Sequence, residues 1–171
     1  LKNITEAFED VCVVLNVSNI IDLKWIDEEQ FKGHIKSVII VWQGGMEGGN
    51  AVADALSGKA TPSGKLPDTV AYDIEDYPAN DNFGNELTNL YKEDIYVGYR
   101  YFETFAPEKV QFEFGFGLSY TTFDIETVSA DADDEKITLE VKVTNTGDKF
   151  SGKEVVQVYY EAPQGALGQP A

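Results

Sequence analysis

A run of β-branched and apolar residues, Ser37 to Val41, closes on Trp42-Gln43-Gly44-Gly45-Met46-Glu47-Gly48-Gly49-Asn50-Ala51, and the chain then leaves through Thr61-Pro62-Ser63-Gly64-Lys65-Leu66-Pro67. This is a buried strand ended by a glycine-dense turn, followed by a short helix from Asn50 to about Ser57 and a proline-punctuated exit. Glycine lets the backbone take positive φ and lie close to whatever covers the strand end, which is where α/β proteins place ligands. A site in this chain is therefore expected to face that turn. Spacing excludes two phosphate-binding loops: a dinucleotide fingerprint would need glycine at Met46, and a Walker loop would need Ser or Thr at Leu66.

The flanking segments repeat the pattern. Residues 1 to 10 read as the tail of a helix, and Val11-Cys12-Val13-Val14-Leu15-Asn16-Val17 as a strand covered on both faces. A loop over Ile20 to Trp25 leads into a short helix near Trp25 to Phe31. Strand, helix, strand, helix at this spacing indicates an α/β fold with largely parallel strands, and two such strands leave apolar edges that something must cover. From Asp68 to Asn89 the pattern gives way to polar, proline-containing loop, of a length that is usually functional or wrapped over a neighbour. Tyr91 to Phe105 and Val110 to Phe123 are then dense in Tyr and Phe, an aromatic area that requires a docking surface.

After Asp124 the period becomes two. Ile137, Leu139, Val141 and Val143 alternate with Thr138, Glu140, Lys142 and Thr144, placing one face inward as in an antiparallel sandwich. Asn145-Thr146-Gly147-Asp148 supplies a turn, and Glu154 to Glu161 reads as the returning strand. A β-sandwich of this type needs about seven strands, so this second module is incomplete.

The chain has 171 residues and a formal net charge of −17. Such a balance repels phosphate backbones and anionic lipid, which excludes nucleic acid and membrane surfaces as partners and leaves neutral ligands. The acidic clusters at Glu6 to Asp10, Asp73 to Asp76 and Asp131 to Glu135 are separated by apolar segments and read as solvated faces. Cys12, the single cysteine, lies in an apolar run and reads as a buried thiol, which leans slightly toward a cytoplasmic setting without deciding the compartment. His34 is the single histidine, so neither a histidine-rich metal site nor a Ser-His pair is expected, and no metal or cofactor is invoked. No run of about 18 apolar residues marks a spanning helix. Asn3-Ile4-Thr5 and Asn16-Val17-Ser18 match the glycosylation sequon, a pattern short enough to arise by chance.

Four segments, in order and over nearly the whole chain, resemble the C-terminal half of family-3 glycoside hydrolases, the β-glucosidase and β-xylosidase family. They are the Trp42–Ala51 turn with Pro62-Ser63-Gly64-Lys65-Leu66-Pro67; Tyr91-Lys92-Glu93-Asp94-Ile95-Tyr96-Val97-Gly98-Tyr99-Arg100-Tyr101-Phe102; Phe114-Gly115-Phe116-Gly117-Leu118-Ser119-Tyr120-Thr121-Thr122-Phe123; and Val141 to Gly147 with Gly152 to Tyr159. Asp94 departs from the pattern, since many members carry glycine there, a change confined to local turn geometry. The resemblance implies a partial α/β/α sandwich followed by an incomplete, fibronectin type III-like β-sandwich. Its divisions would be residues 1–67, the later α/β sandwich domain; 68–123, a wrapping linker and the end of that domain; and 124–171, a truncated fibronectin type III-like domain.

It further implies retaining hydrolysis of β-linked glucosides by two carboxylates about 5 Å apart, one a nucleophile and one an acid and base. In the family the nucleophile sits on a β/α barrel and the acid/base glutamate earlier in the α/β domain, so no catalytic residue is carried onto this sequence. The barrel and the rest of the sandwich would be partners supplied by the same protein or a complementary fragment. Glu47 is the one candidate carboxylate at the turn. Its place beside a helix N-terminus favours the ionised form and points to capping of the turn over acid catalysis. Asp73, Glu75 and Asp76 could approach a sugar from a loop, Arg100 could brace a hydroxyl, and Trp25 and Trp42 could act as platforms; each also has an ordinary structural reading as solvated charge, aromatic stacking or core. The competing function is a non-catalytic carbohydrate- or protein-binding β-sandwich module.

Overall fold

In a computed structural model, which describes residues 1–160, the chain forms two compact units, one of residues 1–49 and 66–116 and one of residues 50–65 and 117–160. The first unit begins with helix α1 (Lys2–Ala7) and strand β1 (Val11–Leu15), which pairs in parallel with β2 (Ile35–Ile40). The crossover between the strands holds a 3-10 turn, Lys24–Asp27, and then hydrogen-bonded turns over residues 29–34, where the sequence pattern indicates a short helix near Trp25 to Phe31. The Trp25 indole N–H donates to the Asp22 carbonyl at 3.1 Å and its ring meets Phe31 edge-on, so local contacts close the segment before a full helical turn repeats.

β1 is not covered on both faces. Val11, Val13 and Leu15 share the covered side, while Cys12 and Val14 are exposed. Cys12 is thus an exposed thiol and not the buried one its apolar neighbours suggested; a continuous apolar run reports what a strand is built to contact, and this chain covers only one of its faces.

Residues 68–89 also hold more structure than the polar pattern indicates. β3 (Val70–Ala71) pairs antiparallel with β4 (Val110–Phe112), and 3-10 turns follow at Ile74–Asp76 and Pro78–Asn82. They pack on helix α3 (Tyr99–Phe105), whose Phe102 is 1% exposed and forms the core with Ala71 and Ala106. Tyr77 stands edge-on to Phe102 at 5.4 Å, accepts from the Ala71 N–H at 2.8 Å and donates to the Thr69 carbonyl at 3.0 Å. Burial pushes the Tyr77 hydroxyl up, which keeps this donor protonated.

The second unit contains most of α2 (Gly48–Leu56) and an antiparallel hairpin of β5 (Phe123–Ala132) and β6 (Ile137–Asn145), bulged between Thr127 and Ser129. The partner of β6 is therefore β5 and not the expected strand at 154–161. Residues 154–160 form no regular strand, and Glu161 lies outside the described residues. The donors there are taken by side chains: Lys153 N–H by Ser63 Oγ at 3.1 Å and Val155 N–H by Glu154 Oε1 at 2.8 Å. Below the hairpin, Asn145 Oδ1 accepts from Thr121 at 2.6 Å and from the Gly147 N–H at 3.0 Å, while Asn145 Nδ2 donates to the Phe150 carbonyl. A Cβ on Gly147 would lie 2.2 Å from Thr121 Oγ1, which accounts for glycine after Asn145-Thr146.

Candidate functional site

The turn after β2 has the expected close geometry. Val41 N–H continues the parallel ladder to the Leu15 carbonyl at 2.9 Å, and Trp42 then adopts φ +49. Such a conformation is uncommon outside glycine, and it bends the chain at once off the sheet. Gly48 N–H closes a tight turn on the Gly45 carbonyl, and a Cβ on Gly44 would sit 2.8 Å from the Gly48 Cα, so backbone meets backbone there. Glu47 is exposed immediately before α2. Both tryptophans are half-buried; Trp25 has its ring and N–H engaged, whereas the Trp42 indole N–H donates to no group among the described residues.

The other sequence candidates separate. Asp73 caps a 3-10 turn by accepting the Glu75 N–H at 3.2 Å and meets Lys24 Nζ at 3.3 Å. That N–H and the Lys24 ammonium hold the Asp73 carboxyl below its ordinary value. Asp76 is committed to Lys109 at 2.7 Å, Glu75 is exposed, and Arg100 is exposed with no ion pair among the described residues. No group of three or more His, Cys, Asp or Glu side chains could hold a metal ion among the described residues, and none of their helices is long and apolar enough to cross a membrane.

Asp73 also lines a cavity of about 360 Å³ that the sequence reading did not anticipate. Ile20, Ile21 and Asp22 enter it from the segment that follows β1. Tyr72, Asp73 and Ile74 enter from the chain just past β3, and Asn80 and Phe83 also line it; with Ile74 68% and Phe83 92% exposed, it is a depression open to solvent. Lys24 ties the rim together: its N–H donates to Asp22 Oδ1 at 2.8 Å and its ammonium to Asp73 Oδ2. A volume of this size suits a small organic ligand. Its wall residues have no common period, because two separated loops converge; only the Asp-x-Glu cap followed by Tyr77-Pro78 marked that stretch as ordered.

Comparison with known proteins decides the family. Residues 1–99 match the family model described as glycosyl hydrolase family 3 C-terminal domain. The chain belongs to glycoside hydrolase family 3. It is 50% identical over its full length to a β-glucosidase of Ruminococcus albus, of which it covers 17%, and 48% identical to β-glucosidase A of Butyrivibrio fibrisolvens, of which it covers 22%. The crystal structure of a β-glucosidase from Paenibacillus barengoltzii superposes on 99% of the chain with a TM-score of 0.94 at 57% identity, over 19% of that enzyme. The chain thus spans about a fifth of the length of these family-3 relatives, and it shares with them a small mixed fold of parallel and antiparallel strands with short helices.

Proposed function

We propose that this chain is part of a retaining β-glucosidase, to which it contributes scaffold and one wall of the active site while both catalytic carboxylates lie in other polypeptide. The observation that carries this reading is the end-to-end superposition on one fifth of a β-glucosidase at 57% identity. Within it, residues 1–67 are the later part of the α/β sandwich domain, residues 68–123 the wrapping segment, and residues 124–171 the start of a fibronectin type III-like domain. The substrate is a terminal β-linked glucoside. Glu47, exposed immediately before α2, caps the glycine turn in this scheme.

The test compares the isolated chain with the whole protein that carries it, using an aryl β-glucoside and proton NMR of the released sugar. Turnover by the whole protein with the β-anomer formed first, and none by the isolated chain, is expected. Turnover by the chain alone would overturn the division of labour, and the α-anomer formed first would overturn the retaining mechanism.

A further inference from the structure

We propose that residues 117–154, which carry the β5–β6 hairpin, clamp α2 in its folded form, so that this helix opens and closes with the hairpin and not as an element of its own. The inference is independent of the β-glucosidase reading. α2 cannot supply its own stability. It has nine residues, begins on two glycines and holds no buried residue, and a lone helix shorter than about 12 residues is marginal in water even when its sequence favours it. By sequence the helix lies inside residues 1–99, the span that matches the family's C-terminal domain. By contact it groups with a later part of the chain, because residues 50–65 and 117–160 form one compact unit.

The contacts show how the clamp is built. The last turn of α2 ends in a left-handed reversal at Gly58, φ +76, whose N–H donates to the Ala55 carbonyl at 3.1 Å. The Tyr120 hydroxyl donates to the same carbonyl at 2.9 Å and takes up its second lone pair. The Phe150 ring covers the reversal, 3.7 Å from where a Cβ on Gly58 would stand. Tyr120 precedes β5 and Phe150 follows β6, and their rings pack with centroids 5.6 Å apart, so an aromatic pair from the two ends of the hairpin holds the helix end. The exit from the helix is held as well. Ser63 Oγ accepts from the Lys153 N–H at 3.1 Å, the Lys65 ammonium donates to the Gly117 carbonyl and to Glu154, and a Cβ on Gly152 would stand 3.3 Å from Thr61. Asn145, the last residue of β6, ties these points together from outside the helix. Its Oδ1 accepts from Thr121, the neighbour of Tyr120, and its Nδ2 donates to the Phe150 carbonyl at 3.0 Å. A hairpin base that loses this tie frees both rings that cover the end of α2.

Amide exchange followed by mass spectrometry, on the whole protein that carries the chain, tests the clamp with two variants. Asn145→Ala removes the tie and leaves α2 itself unaltered. It is expected to speed exchange in residues 52–60 by about tenfold and to leave the β1–β2 ladder at residues 11–15 and 35–41 unchanged. Tyr120→Phe keeps the ring and removes only the hydroxyl, and this milder change decides the matter if Asn145→Ala does not fold. It is expected to speed residues 52–60 by about threefold, and residues 121–123 and 145–147 with them, because parts that open together share one equilibrium. Helix exchange unmoved in both variants overturns the proposal, since α2 would then be held by other polypeptide. So does helix exchange that rises in Tyr120→Phe while the hairpin base stays unmoved, which would make the hydroxyl a local cap and no part of a shared unit.

Discussion

Lys65 shows how a short motif becomes structure. Its ammonium reaches the Gly117 carbonyl at 2.8 Å and Glu154 at 2.9 Å, with the two side chains only 18% and 13% exposed. A Cβ on Gly117 would sit 2.3 Å from the Gly64 carbonyl oxygen, so the Ser63-Gly64-Lys65 and Phe116-Gly117-Leu118 segments touch through backbone. Lys65 and the Val155 N–H hold the Glu154 carboxyl below its ordinary value of 4.5. A depressed carboxylate binds fewer protons in the folded state, so its stabilisation is complete above the ordinary range and is lost as pH falls from there through the depressed value. Glu154→Ala should therefore cost about 1–3 kcal/mol at neutral pH by leaving a partly buried ammonium short of an acceptor. The deficit should shrink when urea titrations are repeated below pH 4.5, and a deficit independent of pH would refute the pairing as its cause. Asp94 is a second case. It adopts φ +51 at the position where the family pattern carries glycine, so its turn needs a left-handed residue and Asp is among the few that tolerate one. Asp94→Val should lower stability by about 1–2 kcal/mol, and Asp94→Gly should stay within about 0.5 kcal/mol of the parent; equal thermal shifts for the two would remove backbone strain as the reason.

Among the elements, those written in local chemistry were legible and those written in contacts between distant segments were not. The parallel pairing of β1 and β2, the glycine turn and α2 follow from apolar runs punctuated by glycine. The alternation of Ile137 to Val143 marks β6, yet its partner β5 does not stand out, because the aromatic stretch ends at Phe123 and the acidic, mixed sequence from Asp124 to Ala132 carries no clean alternation. Cys12 and Val14 mark the same limit, since sequence hydrophobicity states an intention to be covered and not whether this chain does the covering. The cavity was hidden for the same reason, as Ile20 and Ile74 are neighbours only after two loops fold. The hairpin also makes a prediction of its own. Thr121, Thr122, Asn145 and Thr146 lock its base through side-chain and backbone hydrogen bonds, while Ala130–Ala132 and Ile137–Leu139 lie beyond the bulge with both faces exposed. A two-stranded ribbon is marginal without a covering layer. Amide exchange should be at least about tenfold faster beyond the bulge than at the base, and uniform protection along both strands would show that the ribbon opens as one piece.

Across the molecule two properties oppose each other. A formal net charge of −17 keeps copies apart, while large apolar side chains stand in water: Phe83 is 92%, Leu87 94% and Tyr91 87% exposed. Exposed apolar surface on this scale marks a place built for contact, which agrees with a chain that spans about a fifth of its β-glucosidase relatives. Repulsion acts over the screening length, about 30 Å at 0.01 M salt and about 3 Å at 1 M, whereas apolar attraction acts at contact and is not screened. The isolated chain should therefore sediment as a monomer near 10 mM salt and associate as sodium chloride is raised toward about 1 M, with binding of a hydrophobic dye falling as the surfaces meet. Phe83→Ser with Leu87→Ser should move the onset to higher salt, because those substitutions remove apolar contact area and leave the net charge unchanged. Association that is already complete at low salt, or insensitive to the serine pair, would mean that neither the acidic field nor the segment around Phe83 governs how this polypeptide meets its neighbours.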